Sequence, residues 1–229
     1  MRRTTLVALI ALLLVGCDPA PSPSATPSAA ASPAVASEGV LSPSATTGTT
    51  LPTDLRQTSG ALPPGTYTRS DFRPPITFEV GEGWYVGSVT AGFFDVQQQQ
   101  GTPDVIAVQF ALPGGVVGAN GATIQATSAG DAVAAIKENP GLVTIDESES
   151  RLGRQTGTVL EVENPGPAHA PIFDVPAGRL GVDADRRLWI ALLDTPDGVL
   201  AVMVGGSTAD WEHALTVAEP VLESIVIGT

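Results

Sequence analysis

From Asp18 to Gly60 the chain is built almost wholly from Ser, Thr, Pro, Ala and Gly. Charge enters there only at Asp18, Glu38, Asp54 and Arg56, and the larger apolar residues are Val35, Val40, Leu41, Leu51 and Leu55. Such a stretch buries too little apolar surface to offset the entropy of ordering it. This decides where a fold can form: the periodic segments of the mature chain all lie from Ala61 to Thr229, the length of one ordinary domain. As a coil the polar stretch spans about 35–40 Å, enough to carry a domain clear of its point of attachment.

What precedes that stretch reads as an export signal. Arg2 and Arg3 stand before an apolar run from Leu6 to Val15. The run is too short to cross a bilayer, where a helix needs about 20 residues, and its basic front is that of a signal peptide. Leu14-Val15-Gly16-Cys17 resembles a bacterial lipobox, whose cysteine thiol is alkylated by diacylglycerol and becomes the new N-terminus. The resemblance implies lipid attachment at Cys17, with Leu14, Val15 and Gly16 as the signal-peptidase motif. It also implies the lipid bilayer as a partner and the extracytoplasmic face of the bacterial plasma membrane as the location. Two other readings of Cys17 fare worse. It is the only cysteine, so it has no intramolecular disulfide partner. A buried thiol would need a folded neighbourhood, which the polar stretch does not offer. Two acyl chains anchor stably where one holds only marginally. The expected division is therefore a signal peptide at 1–16, a lipid-anchored disordered tether at 17–60 and a single globular unit at 61–229.

Carboxylates outnumber cations, 24 Asp and Glu against 11 Lys and Arg, giving a formal charge of −13 with Lys137 as the only lysine. Such a surface repels phosphate backbones and anionic headgroups, which excludes nucleic acid as a partner class. Membrane contact then falls to the anchor.

Within the globular unit strands dominate. Ile76-Thr77-Phe78-Glu79-Val80 alternates, and Val105 to Leu112 is an apolar run of strand length. Val143 to Ile145 opens another strand, and Thr158 to Glu163 is rich in β-formers. Leu188–Leu193 and Val199–Val204 flank Asp194-Thr195-Pro196-Asp197-Gly198, a turn sequence that predicts an antiparallel hairpin. Phe93 to Gln98 is expected at a sheet edge, with Gln97–Gln100 as a solvated turn. Two helices follow Ser128-Ala129-Gly130-Asp131 and Ser207-Thr208-Ala209-Asp210, each with the spacing of a capping box. The second places Trp211, Ala214, Leu215, Ala218, Leu222 and Ile225 on one face, and Pro220 is expected to kink or break it. The fold class is thus α+β, an antiparallel β-sheet with helices packed against it.

Three motifs in this order resemble PsbP-like domains, including lipoproteins of the LpqN type. Ile76-Thr77-Phe78 with Gly83-Trp84 is similar to their opening strand. Leu152 to Gly157 is similar to their central glycine-arginine turn. Trp211 to Ile227, ending Val221-Leu222-Glu223-Ser224-Ile225, is similar to their closing helix. The resemblance implies an α/β/α sandwich and a binding or accessory role, and it carries over no catalytic residue.

The search for chemistry turns up little. There is no G-x-S-x-G, H-E-x-x-H, P-loop or EF-hand pattern. Gly81–Gly83 and Gly118–Gly121 read as turns, and Asp183, Asp185, Arg186 and Arg187 as a solvated turn. His213 falls off the apolar stripe and is expected in solvent. Trp84 and Trp189 are expected in the core. His169 lies in Pro-Ala-His-Ala-Pro, within an irregular loop reaching from Asn164 towards Arg187, with no second His or Cys nearby for a metal. No catalytic, cofactor or metal residue is therefore expected. The function expected is a non-enzymatic, lipid-anchored binding or accessory domain of the cell envelope, taking a protein, glycan or lipid ligand. The alternative is a tethered hydrolase using His169 and carboxylates of its loop, where long loops often carry function.

Overall fold

A computed structural model describes residues 51–228. The lipobox residues Leu14, Val15, Gly16 and Cys17, the signal peptide and most of the tether lie outside the described residues. Along the chain run β1 (Thr53–Asp54), β2 (Ala61–Leu62), β3 (Gly65–Arg69), β4 (Ile76–Val80), β5 (Trp84–Thr90), β6 (Phe93–Gln98), β7 (Ile106–Ala111), β8 (Gly115–Val117) and β9 (Thr123–Ile124). Then come α1 (Ala129–Lys137), β10 (Val143–Leu152), β11 (Gln155–Glu163), β12 (Ala170–Val175), β13 (Gly178–Val182), β14 (Arg186–Thr195), β15 (Gly198–Ser207), α2 (Trp211–Glu223) and β16 (Val226–Ile227).

Eight strands form a central antiparallel sheet in the order β10-β11-β14-β15-β7-β6-β5-β2. The runs of β14 and β15 are apolar almost without a break because both faces of the sheet are covered. Leu200, Val202 and Val204 point into one core, with Phe78, Phe94, Phe110 and Ala218. Val199, Ala201 and Met203 point into the other, with Ile136, Ile172 and Phe173. The first core is roofed by α2 and by the small sheet β1-β3-β4-β16, the second by α1 and the small sheet β13-β12-β8-β9. Each outer layer is therefore part helix and part sheet, so the expected sandwich holds with more strand than expected. Stacked rings tie the first core together, with Phe94 and Phe110 centroids 4.5 Å apart and Phe78 5.5 Å from Phe110. Gly206 on β15 admits α2 at close range, since a Cβ there would meet that of Ala214 at 2.6 Å.

The expected hairpin is present, with β14 and β15 paired from Arg186↔Ser207 to Thr195↔Gly198. The glycine-arginine turn joins β10 to β11 at Leu152↔Gln155. Ser128 caps α1 by accepting from the Asp131 N–H, while Asp131 turns back one residue further than a capping box requires, to the Thr127 N–H and hydroxyl.

Several expectations need correction. Ser207 caps a 3-10 turn at Thr208–Asp210 and not α2 itself, which begins at Trp211 as expected. Pro220 does not break α2, which carries it in its closing residues and runs on to Glu223; the proline lacks the N–H that would bond the Thr216 carbonyl, and the helix forgoes that bond without ending there. β6 is interior, flanked by β5 and β7, because the neighbour that covers its second edge comes from earlier in the chain. The stretch from Asn164 to Gly181 is not one irregular loop. It contains the β12–β13 hairpin, closed at Val175↔Gly178, and a register shift between Pro171 and Phe173 absorbs the proline. Folded structure also begins upstream of Ala61. Thr53 pairs in parallel with Tyr67, and Leu55 is fully buried in the first core.

Candidate functional site

One tripeptide, Asn-Pro-Gly, occurs twice in the chain and builds the same device each time. At Asn139-Pro140-Gly141, after α1, the Gly141 N–H donates to Asn139 Oδ1 at 3.0 Å. At Asn164-Pro165-Gly166, after β11, the Gly166 N–H donates to Asn164 Oδ1 at 2.9 Å. Proline fixes φ at the next residue, and the asparagine oxygen closes an Asx-turn two residues on. Both asparagines are buried, at 5% and 3% exposure, so their amide hydrogens also need acceptors. Asn139 Nδ2 donates to the carbonyls of Val117 and Pro171, and Asn164 Nδ2 to those of Ala168 and Val182.

Between the two turns lies a groove of about 340 Å³. Its walls are Pro140, Pro165, Pro167 and Pro171 with small residues, and His169 is its one ionisable lining residue. That volume is at the low end for a small-molecule site. His169 Nδ1 lies 2.8 Å from Asp183 Oδ1, with the two side chains 44% and 77% exposed. Where Nδ1 carries its hydrogen to Asp183, Nε2 is left as an acceptor. So the structure does bring His169 to a carboxylate of the same region, at a wet rim. It brings no nucleophile to the pair, because no Ser, Thr, Cys or Lys lines the groove. The groove's two buried side-chain amides are both consumed by the protein's own backbone.

The remaining sequence candidates separate cleanly. Trp84 is in the core, whereas Trp189 is only partly buried, a departure from its expected sealing. His213 is exposed on α2, as expected. Arg186 and Arg187 are not solvated turn residues: Arg186 donates to the carbonyls of Pro103 and Val105, and Arg187 pairs with Glu161 and lies over the Trp211 ring. Among the described residues, no group of three His, Cys, Asp or Glu side chains is placed to hold a metal ion, and no helix is long and apolar enough to cross a membrane.

Sequence reasoning passed over two buried ionisable groups, Arg69, which pairs with Asp71, and Asp95. Asp95, on β6, is 2% exposed. It takes the Ser88 N–H on Oδ1 and Gln97 Nε2 on Oδ2, each at 2.5 Å. Burial pushes its pKa up, against the pull of those two donors. The signal was available, since an acid in an otherwise apolar Phe93–Val96 run shares its strand face with Phe93.

No family model and no characterised protein sequence matches the chain. Solved structures similar to it include the following three. A Bacteroides thetaiotaomicron protein aligns with TM-score 0.38 and 9% identity over 67% of this chain, which spans only 45% of that protein. The cyanobacterial PsbP (CyanoP) of Synechocystis gives TM-score 0.41 and 10% identity over 72% of this chain and 92% of that one. LpqN of Mycobacterium tuberculosis, described as involved in cell envelope biogenesis, gives 0.41 and 14% over 73% and 87%. Two of these carry the names to which the sequence motifs point. At such scores the likeness bears no weight alone, and the fold class stands on the strand pairing itself.

Proposed function

We propose that this chain is an extracytoplasmic lipoprotein, held through acylated Cys17 at the bacterial plasma membrane. Its folded unit works as a binding or accessory domain of the envelope, not as an enzyme. The observation that carries the second half is the state of the groove between the Asn-Pro-Gly turns. Acid–base catalysis needs a polar group free to act on a substrate and set in an environment that tunes it. Here both buried amides are spent on the protein's own backbone carbonyls, and the single histidine stands at a solvated rim. The first half rests on the Leu14–Cys17 motif after its apolar run.

A second reading has one observation in its favour, the His169–Asp183 pair beside a groove of ligand size. It makes the chain a hydrolase in which His169 activates water.

One set of strains tests both. Labelled fatty acid should mark the wild-type chain and leave the Cys17→Ser chain unmarked and off the membrane; a marked, membrane-bound serine variant refutes the anchor. His169→Ala should retain the wild-type phenotype. If it matches the deletion strain while folded and at normal level, the hydrolase reading replaces the binding one.

A further inference from the structure

α2 carries two stripes. Trp211, Ala214, Ala218 and Val221 are buried in the core. One position further on, Glu212, Leu215, Glu219 and Leu222 recur along the flank at helical spacing. Beneath that flank β14 passes with Trp189 on the face it shares with Ala191 and Leu193. The helix does not close over the indole. A groove of about 250 Å³ remains, with Trp189, Leu215 and Leu222 as its apolar lining and Glu212, Thr216 and Glu219 along it.

The charge in this groove is uncompensated. No Lys, Arg or His lines it. Arg187, two residues from Trp189 on the same strand, is already engaged by Glu161 and by the Trp211 ring. Among the described residues neither Glu212 nor Glu219 has a cation within ion-pair distance. An indole face attracts cations through its quadrupole, and two free carboxylates beside it add to that attraction. A second copy of this acidic chain is a poor occupant, since it would bring its own negative surface. Spacing narrows the choice further. Seven residues of helix separate Glu212 and Glu219 by about 10.5 Å along the axis, too far for one ammonium group to touch both. Two cations on one face of one backbone reach that span, three residues apart in a polyproline II segment or seven apart in an α-helix.

We propose that this groove is a docking site for a basic segment of a partner protein. One lysine or arginine sits over Trp189 and two such cations pair with Glu212 and Glu219, while apolar neighbours in the segment rest on Leu215 and Leu222. The inference rests on the reading of the folded unit as a binding domain, and adds to it a place and a partner chemistry.

The test uses the intact chain labelled with ¹⁵N at its tryptophan indoles, the groove signal being assigned through Trp189→Phe. The probes are two soluble peptides, a polyproline II one with lysines three residues apart and a helical one with lysines seven apart, each flanked by leucine. At least one should shift the Trp189 indole and leave Trp84 and Trp211 in place. Affinity should fall tenfold or more in Glu212→Gln/Glu219→Gln, and should also fall when salt rises from 50 to about 200 mM. Unchanged circular dichroism and Tm identify that double variant as folded. The proposal is overturned if neither peptide shifts Trp189, if the double variant binds equally well, or if glutamate-for-lysine peptides bind alike. It is also overturned if tetramethylammonium alone binds as tightly as the peptides, which would make this a small-cation site. Each of these outcomes leaves the Cys17 and His169 experiments unaffected, so failure here is distinct from failure of the binding reading.

Discussion

Gly87 and Asp95 should behave as one energetic unit, and a double-mutant cycle reads that directly. Gly87 sits in β5 where the ladder to β6 slips between Val86 and Val89. A Cβ there would stand 2.6 Å from both Cγ and Oδ1 of Asp95, and closer still to Oδ2. The group in the way is a buried carboxylate with both oxygens taken, so no flexible tip can swing aside. Gly87→Ala must therefore displace the carboxylate and disturb its bonds from the Ser88 N–H and the Gln97 amide. Overpacking costs about 1–3 kcal/mol, and a hydrogen bond to a charged group contributes about 1.5–3 kcal/mol. Relief of one is loss of the other, so the two do not simply add, and the expected cost is about 2–4 kcal/mol. In a folded unit of this size that lowers Tm by roughly 5–15 °C. Asp95→Ala alone should cost about 1–3 kcal/mol, because the Ser88 N–H and the Gln97 amide lose their acceptor. In that background the new methyl at position 87 enters vacated space, and Gly87→Ala should then cost under about 1 kcal/mol. Urea unfolding at pH 7 of all four proteins, with matching m-values, supplies the numbers. Additive costs, within about 0.5 kcal/mol, would refute the claim that the carboxylate is what excludes a side chain at Gly87.

Two further outcomes follow from the start of the folded unit. Leu55→Ala should destabilise by about 2–5 kcal/mol, and a chain beginning at Ala61 should unfold at lower urea than one beginning at Leu51; equal midpoints would show that the buried Leu55 is dispensable. The side-chain bond from Arg56, with help from Ser70, holds the Asp54 carboxyl down at about 2. Because the folded value lies below the unfolded one, of about 3.9, ionised Asp54 stabilises the fold above about pH 4, and that contribution is lost as pH falls towards 2. Carboxyl NMR titration should place Asp54 near 2 in the wild type and return it close to its ordinary value in Arg56→Gln; an Asp54 midpoint that does not move would assign the shift to some other group.

The sequence by itself determined what depends on near neighbours along the chain. Pro196-Asp197 between two apolar runs closes a hairpin wherever those runs end up, and Ser128 caps α1 through an N–H three residues away. The poverty of apolar residues from Asp18 to Gly60 likewise placed the core after it, and among the described residues of that stretch Leu55 departs from this, its side chain finding a core built far downstream. Tertiary structure decided whatever needed partners distant in sequence. The consecutive strands β5, β6 and β7 entered the eight-stranded sheet only because β15, far downstream, paired with the free edge of β7. Two Asn-Pro-Gly turns became the walls of one groove because β11 and α1 end side by side, and their amides bond carbonyls as far away as Val117 and Val182. Trp189 follows the same logic: its apolar run predicts burial, but burial depends on how far α2 reaches across the sheet. Local pattern sets which face a side chain takes. Only the packing of separate layers sets whether that face is covered, since a covering contact joins residues that no periodicity relates.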